Sequence, residues 1–196
     1  MDRRQEMEEY LKKYREERLE IKKGYLMNNL SDMEKEFYNK IDLLISSQKE
    51  RQSEDETVKL KDIFLCRLLS SGYTESYEVI LGMSNDMLYL DERKSQVYWY
   101  PELVYKDMVQ DMNTVEKLIR KKFLRVESSE LFYLKQKLLC DDWILLQECF
   151  RNLLKQSLHL LMDSSLRLEK EILVLCGDYM DNLKIIGHQD TERREE

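Results

Sequence analysis

The chain has 196 residues with 39 acidic and 32 basic side chains, a net charge of −7, and 42% hydrophobic content with one proline and five glycines. That is enough apolar material to bury a core, and so little Gly and Pro argues against Gly-rich phosphate loops and sheets with many tight turns. No apolar run of about 18 residues is present to cross a bilayer, and the opening MDRRQEMEEYLKKYREER lacks the apolar centre of a signal peptide.

Residues 3–47 contain no proline and one glycine, Gly24. Met7, Leu11, Tyr14, Ile21 and Tyr25 recur at three- and four-residue steps, with Arg18 at the one missed step. Leu30, Met33, Phe37, Ile41 and Leu44 carry the pattern on. The spacing predicts one long helix, or two helices meeting near Asn28–Ser31. Glu8–Lys12 and Glu9–Lys13 support the outer face at the favourable four-residue separation. Residues 1–52 therefore read as an amphipathic, coiled-coil-like arm for a protein partner or self-association, acting through Met7, Leu11, Tyr14, Ile21 and Tyr25. A coiled-coil seam favours Leu, Ile and Val over tyrosine, so a helix lying on its own domain is the competing reading.

Ser46–Asp55 has no apolar residue and reads as a linker into a helical domain spanning 53–186. Ser53 and Glu56 have capping-box spacing. A helix is expected through Leu60, Ile63, Phe64, Leu68 and Leu69 to Ser70-Ser71-Gly72, and a second from Thr74 to Leu81, ended by Gly82. Met87–Leu90 and Gln96–Tyr100 then alternate around a charged turn, which predicts a small β-hairpin over 87–100. In it Val97 and Trp99 would face the core, and Tyr98 and Tyr100 would face outward. Tyr98, Trp99 and Tyr100 are candidate docking residues, because aromatic side chains anchor interfaces.

The order helix, turn, helix, hairpin resembles a winged helix. The resemblance implies that the second helix of the pair would enter a DNA major groove. That helix, TESYEVIL, carries Glu75 and Glu78 and no basic residue, so a winged-helix-like element here points to protein binding. Residues 53–116 hold six Lys and Arg against thirteen Asp and Glu, while the charges before and after balance.

Pro101 suits the first turn of a helix, and Glu102–Phe123 follows with Leu103, Met108, Met112, Val115 and Ile119 inward. Lys117, Arg120, Lys121, Lys122 and Arg125 form the one basic strip. It either complements the end of the helix dipole or contacts nucleic-acid phosphates. From about Ser129 to Ile186 the pattern predicts two helices broken at Asp163-Ser164-Ser165, and residues 187–196 read as a disordered charged tail.

The fold expected is thus mainly α: a multi-helix bundle with a helical arm and one small hairpin. No Cys-x-x-Cys, His-Glu-x-x-His, Glu-x-x-His, Walker loop or Gly-x-Ser-x-Gly elbow occurs. No catalytic residue, metal ligand or cofactor is assigned. Cys66, Cys140, Cys149 and Cys176 are widely spaced among apolar residues and read as reduced thiols of an intracellular protein, cytoplasmic or nuclear. The leading expectation is a non-catalytic helical subunit or adaptor of a multiprotein complex. A nucleic-acid-associated factor using the basic strip is the second reading, and a helical enzyme or ligand-binding bundle the third.

Overall fold

A computed structural model describes residues 2–191. In chain order its helices are α1 (Arg3–Asn28), α2 (Leu30–Glu54), α3 (Ser71–Thr74), α4 (Glu102–Tyr105), α5 (Met108–Lys122) and α6 (Ser128–Met162). The strands are β1 (Leu60–Arg67), β2 (Val79–Ser84), β3 (Ser95–Trp99), β4 (Leu168–Asp178) and β5 (Leu183–Asp190). These elements form two compact units, residues 2–30 with 101–149 and residues 31–100 with 150–191. Helices α1 and α2 meet at Asn29, within the predicted junction, but they belong to different units.

The first unit is helical. Met7, Leu11 and Leu26 of α1 are buried, as are Met108, Val115 and Ile119 of α5 and Leu134, Leu138, Trp143 and Leu146 of α6. These positions follow the 3.6-residue period that sets one apolar face per helix. Tyr10 of α1 meets Phe123 edge-on at 6.0 Å, a geometry that aromatic quadrupoles favour.

The second unit is built on a five-stranded mixed sheet in the order β3-β2-β1-β4-β5. β1 is antiparallel to β2 and parallel to β4, while β2–β3 and β4–β5 are antiparallel pairs. The strand register puts Ile63, Leu65, Leu81, Val79 and Trp99 on one face. There Trp99 packs on Phe37 of α2 at 5.5 Å, and Phe37 on Phe150 of α6 at 6.0 Å. On the opposite face Phe64, Cys66, Ile80 and Leu175 form a second cluster, flanked by Leu68, Leu88, Tyr179 and Leu183. Gly82 is required in that face, since a Cβ there would run into the Phe64 ring.

The expectation of a mainly α bundle with one small hairpin is therefore corrected, because the sheet is a substantial part of the fold. Residues 57–81 are not two helices but β1, the single turn α3 and β2, so this stretch does not form the helix pair of a winged helix. The residues of β1 and β2 are buried from both sides, and a strand apolar on both faces loses the period of two that would distinguish it from a helix. The 87–100 hairpin is also corrected: β3 pairs with β2, and Leu88–Leu90 is one 3-10 turn. The predicted inward and outward sides of β3 are nevertheless those observed, with Trp99 buried and Tyr98 exposed.

The expected linker 46–55 lies mostly within α2, because its polar residues are committed inside the unit. Gln52 exchanges two hydrogen bonds with the Arg167 backbone, at 2.8 and 2.9 Å, and Arg51 pairs with Asp91 at 2.6 Å. After Met162 the expected last helix is the hairpin β4–β5 instead. Its turn brings the Asn182 carbonyl so close to Gly177 that no Cβ fits. The predicted tail is strand through Asp190, and residues 192–196 lie outside the described residues.

Candidate interaction surfaces

In the first unit the step missed by the apolar stripe becomes the centre of a buried ion network. Arg18 donates from Nε to Asp111 at 2.7 Å and from Nη2 to Asp142 at 2.8 Å. Lys22 donates to the same Asp142 oxygen at 3.0 Å. All three residues Arg18, Lys22 and Asp142 are buried, Asp142 completely. Burial works against the Arg18 charge, but Asp142 and Asp111 outweigh it and hold the guanidinium above its ordinary pKa. At Lys22 burial wins, helped by the Arg18 charge, and its ammonium is held below the usual range despite Asp142.

A second, shallower network lies along the same helix. Arg15 forks onto Asp141 with two bonds of 2.8 Å and reaches Glu8 at 3.2 Å. Glu8 also accepts from Tyr133 at 2.6 Å and pairs with Lys137 at 3.1 Å. Partial burial raises the Glu8 pKa, and these donors outweigh it to leave a net lowering.

Beside Arg18 opens a cleft of about 400 Å³, lined by Tyr14, Ile21, Lys22, Tyr25 and Asp111 among others. Tyr14 donates to Asp111 at 3.3 Å. Lys106 donates to the Tyr25 hydroxyl at 2.8 Å and sits 4.4 Å from the centre of its ring. The cleft's cations, Arg18 and Lys22, thus already face carboxylates. Of the residues read as a docking stripe, Met7 and Leu11 are core, Tyr14 is half-buried, and Ile21 and Tyr25 are exposed. The structure brings Tyr14, Ile21 and Tyr25 together at this cleft and leaves the other two inside.

The basic strip at the end of α5 is partly engaged within the unit. Arg120 pairs with Glu116 at 2.7 Å, and Lys122 lies 4.6 Å from the Tyr10 ring centre. Lys117, Lys121 and Arg125 are exposed, and the Arg125 carbonyl accepts a bond from Arg3 at 3.3 Å.

In the second unit, β3 is the end strand of the sheet. Ser95 anchors its start to α2, bonding Ser47 at 3.0 Å and Gln48 at 3.2 Å. The buried Arg51–Asp91 pair fixes the preceding turn, where Asp91 also accepts from the Asn85 and Arg93 backbone N–H groups. Tyr98 is 54% exposed, and Met87 and Leu90 are exposed before it. Tyr100, just past the strand, is less exposed than Tyr98.

The two edges of the sheet differ in chemistry. Ser95–Trp99 carries no charge, proline or irregularity. At the other edge, β5 carries Lys184 and Asp190, and its pairing with β4 is interrupted by a register shift between Val174 and Leu175. Charges and bulges are the devices that keep an open edge from pairing; β5 has them and β3 does not.

Burial pushes the Cys66 and Cys176 thiols up to about 12 and Cys149 to about 11, which withholds the reactive thiolate. No group of three or more His, Cys, Asp and Glu side chains is placed to hold a metal among the described residues. No described helix is long and apolar enough to cross a membrane. The surfaces that sequence reasoning missed are those made by β4 and β5, whose glycines Gly177 and Gly187 were the available signal against a helix there. No family model, curated protein or solved structure matches this chain.

Proposed function

We propose that the chain is a non-catalytic interaction subunit, and that a protein partner adds an extended segment to the free edge of β3. The unprotected, uncharged character of that edge carries the reading. Alternate N–H and C=O groups along an end strand point away from its neighbour, and strand addition uses them for affinity. Tyr98 beside the edge supplies an exposed aromatic anchor of the type enriched at interfaces. The buried Arg51–Asp91 pair and the Ser95 bonds hold the strand in place before a partner arrives, which lowers the ordering cost of binding. The four free cysteines suit a reducing compartment.

Two exposed substitutions on β3, Gln96→Lys with Tyr98→Lys, test it. They place charge on the edge without touching Trp99. The expected result is an unchanged circular dichroism spectrum with loss of the partners that crosslink to a photoreactive residue placed at position 100 in both the unmodified edge and the double variant. Recovery of the same crosslinked partners by the folded double variant would overturn the proposal.

A further inference from the structure

The second unit contains a groove of about 320 Å³ where the last turns of α6 pass the β4–β5 hairpin. Leu154, Leu158, Val174 and Ile186 give it apolar walls, and Arg151, Lys155 and His188 stand at its polar side. Positions 151, 154, 155 and 158 share one helix face at three- and four-residue spacing, so cations and leucines alternate along the same wall. We propose that this groove binds a small amphiphile, with its apolar chain along the leucines and its anionic head on Arg151 and Lys155.

Charge is the first argument. The chain as a whole is at −7, yet among the described residues no acidic side chain lines this groove. Several cations elsewhere face carboxylates: Arg15 on Asp141, Arg18 on Asp142, Arg51 on Asp91 and Arg67 on Asp178. Arg151 and Lys155, both exposed, have no carboxylate partner among the described residues. An anion placed there would meet positive groups that are not already neutralised, next to an apolar surface that strengthens the attraction.

Size and shape are the second. The volume lies at the small end of the range for small-molecule sites, while a protein partner ordinarily covers roughly 800 Å² of one surface. Gly187 gives the third. A Cβ at that position would meet only the Val174 side chain, at 3.8 Å, an ordinary contact. The backbone therefore tolerates a side chain where none is present, and glycine here keeps space open instead of satisfying a turn.

Calorimetry of the full chain with dodecanoate, below its micelle concentration, tests the proposal. Dodecyltrimethylammonium and octyl glucoside serve as cationic and neutral controls. Saturable one-to-one binding of dodecanoate is expected, with both controls at least about tenfold weaker, the scale of one charge-assisted hydrogen bond. Arg151→Glu with Lys155→Glu should weaken dodecanoate by about tenfold or more. Gly187→Val should abolish binding by filling the groove, and its thermal midpoint shows whether the strand is intact. Absence of dodecanoate binding, equal binding of the cationic control, or unaltered binding by both variants would each overturn it. So would an acidic amphipathic peptide that binds at the groove and displaces dodecanoate, because the surface would then be a protein-docking groove. The Gln96→Lys, Tyr98→Lys protein should bind dodecanoate like the unmodified chain, so this result and that of the β3 edge are independent.

Discussion

The two units of this chain differ in how much charge they bury. In the first, three charged residues, Arg18, Lys22 and Asp142, are sunk between helices and pair with one another, with Arg18 Nη1 and Asp142 Oδ1 left without a hydrogen-bond partner among the described residues. In the second, the sheet is packed with apolar residues on both faces, and Arg51–Asp91 is an isolated buried pair at the turn before β3. A buried ion network is geometrically demanding and adds little net stability over apolar packing. It fixes which helix faces meet. Apolar sheet packing tolerates change in chemistry but is sensitive to volume. The first unit should therefore break on a change of charge, and the second on a change of size.

The largest effect is expected at Asp142. Asp142→Leu leaves Lys22 buried without a carboxylate and Arg18 with Asp111 alone, and should cost about 3–5 kcal/mol in urea denaturation. If the loss is below about 1 kcal/mol, the network does not organise the first unit. The corresponding change in the second unit is Gly82→Ala, which adds one methyl group against the Phe64 ring. Overpacking of this kind costs about 1–3 kcal/mol. Adding Phe64→Leu should recover part of the loss if the collision is its cause, and a double variant no better than the single one would refute that.

The same contrast explains what was legible in the sequence. The first unit obeys a helical period with one polar interruption, so α1 and α5 could be read directly, and Arg18 at the missed step already marked the later ion network. The strands could not be read that way. Ile63-Phe64-Leu65-Cys66 and Ile172-Leu173-Val174-Leu175-Cys176 are apolar without alternation because both faces of the sheet are covered. Short continuous apolar runs of that kind fit a buried helix equally well. β3 was legible in part because its outer side is exposed and its side chains alternate; its true partner, β2, was hidden inside the misread run. The polar stretch 46–55 was misleading for another reason. Gln48, Arg51 and Gln52 look like linker residues by type, and only the positions of Ser95, Asp91 and Arg167 reveal that they are engaged within the unit.

The smallest predicted effect tests the one place where the second unit does bury an uncompensated acid. Asp62 in β1 is 4% exposed, and its hydrogen bond from Ser84 is long, at 3.5 Å. Burial pushes its pKa up to about 6, with Lys61 and Ser84 opposing and Asp86 adding to the rise. An unfolded Asp titrates near 3.9. Between these values the folded chain holds a proton that the unfolded chain has lost, so stability falls as pH rises through the window from about 4 to 6. Below it both states are protonated and the cost is absent; above it the cost is complete, at most about 3 kcal/mol for a shift of roughly two units. Asp62→Asn keeps the shape and cannot ionise. It should raise stability by about 1–3 kcal/mol at pH 7.5 and leave it unchanged near pH 3.5. A gain of the same size at both pH values would assign the effect to packing, and the contrast between a charge-organised unit and a volume-organised one would then extend even to this carboxylate.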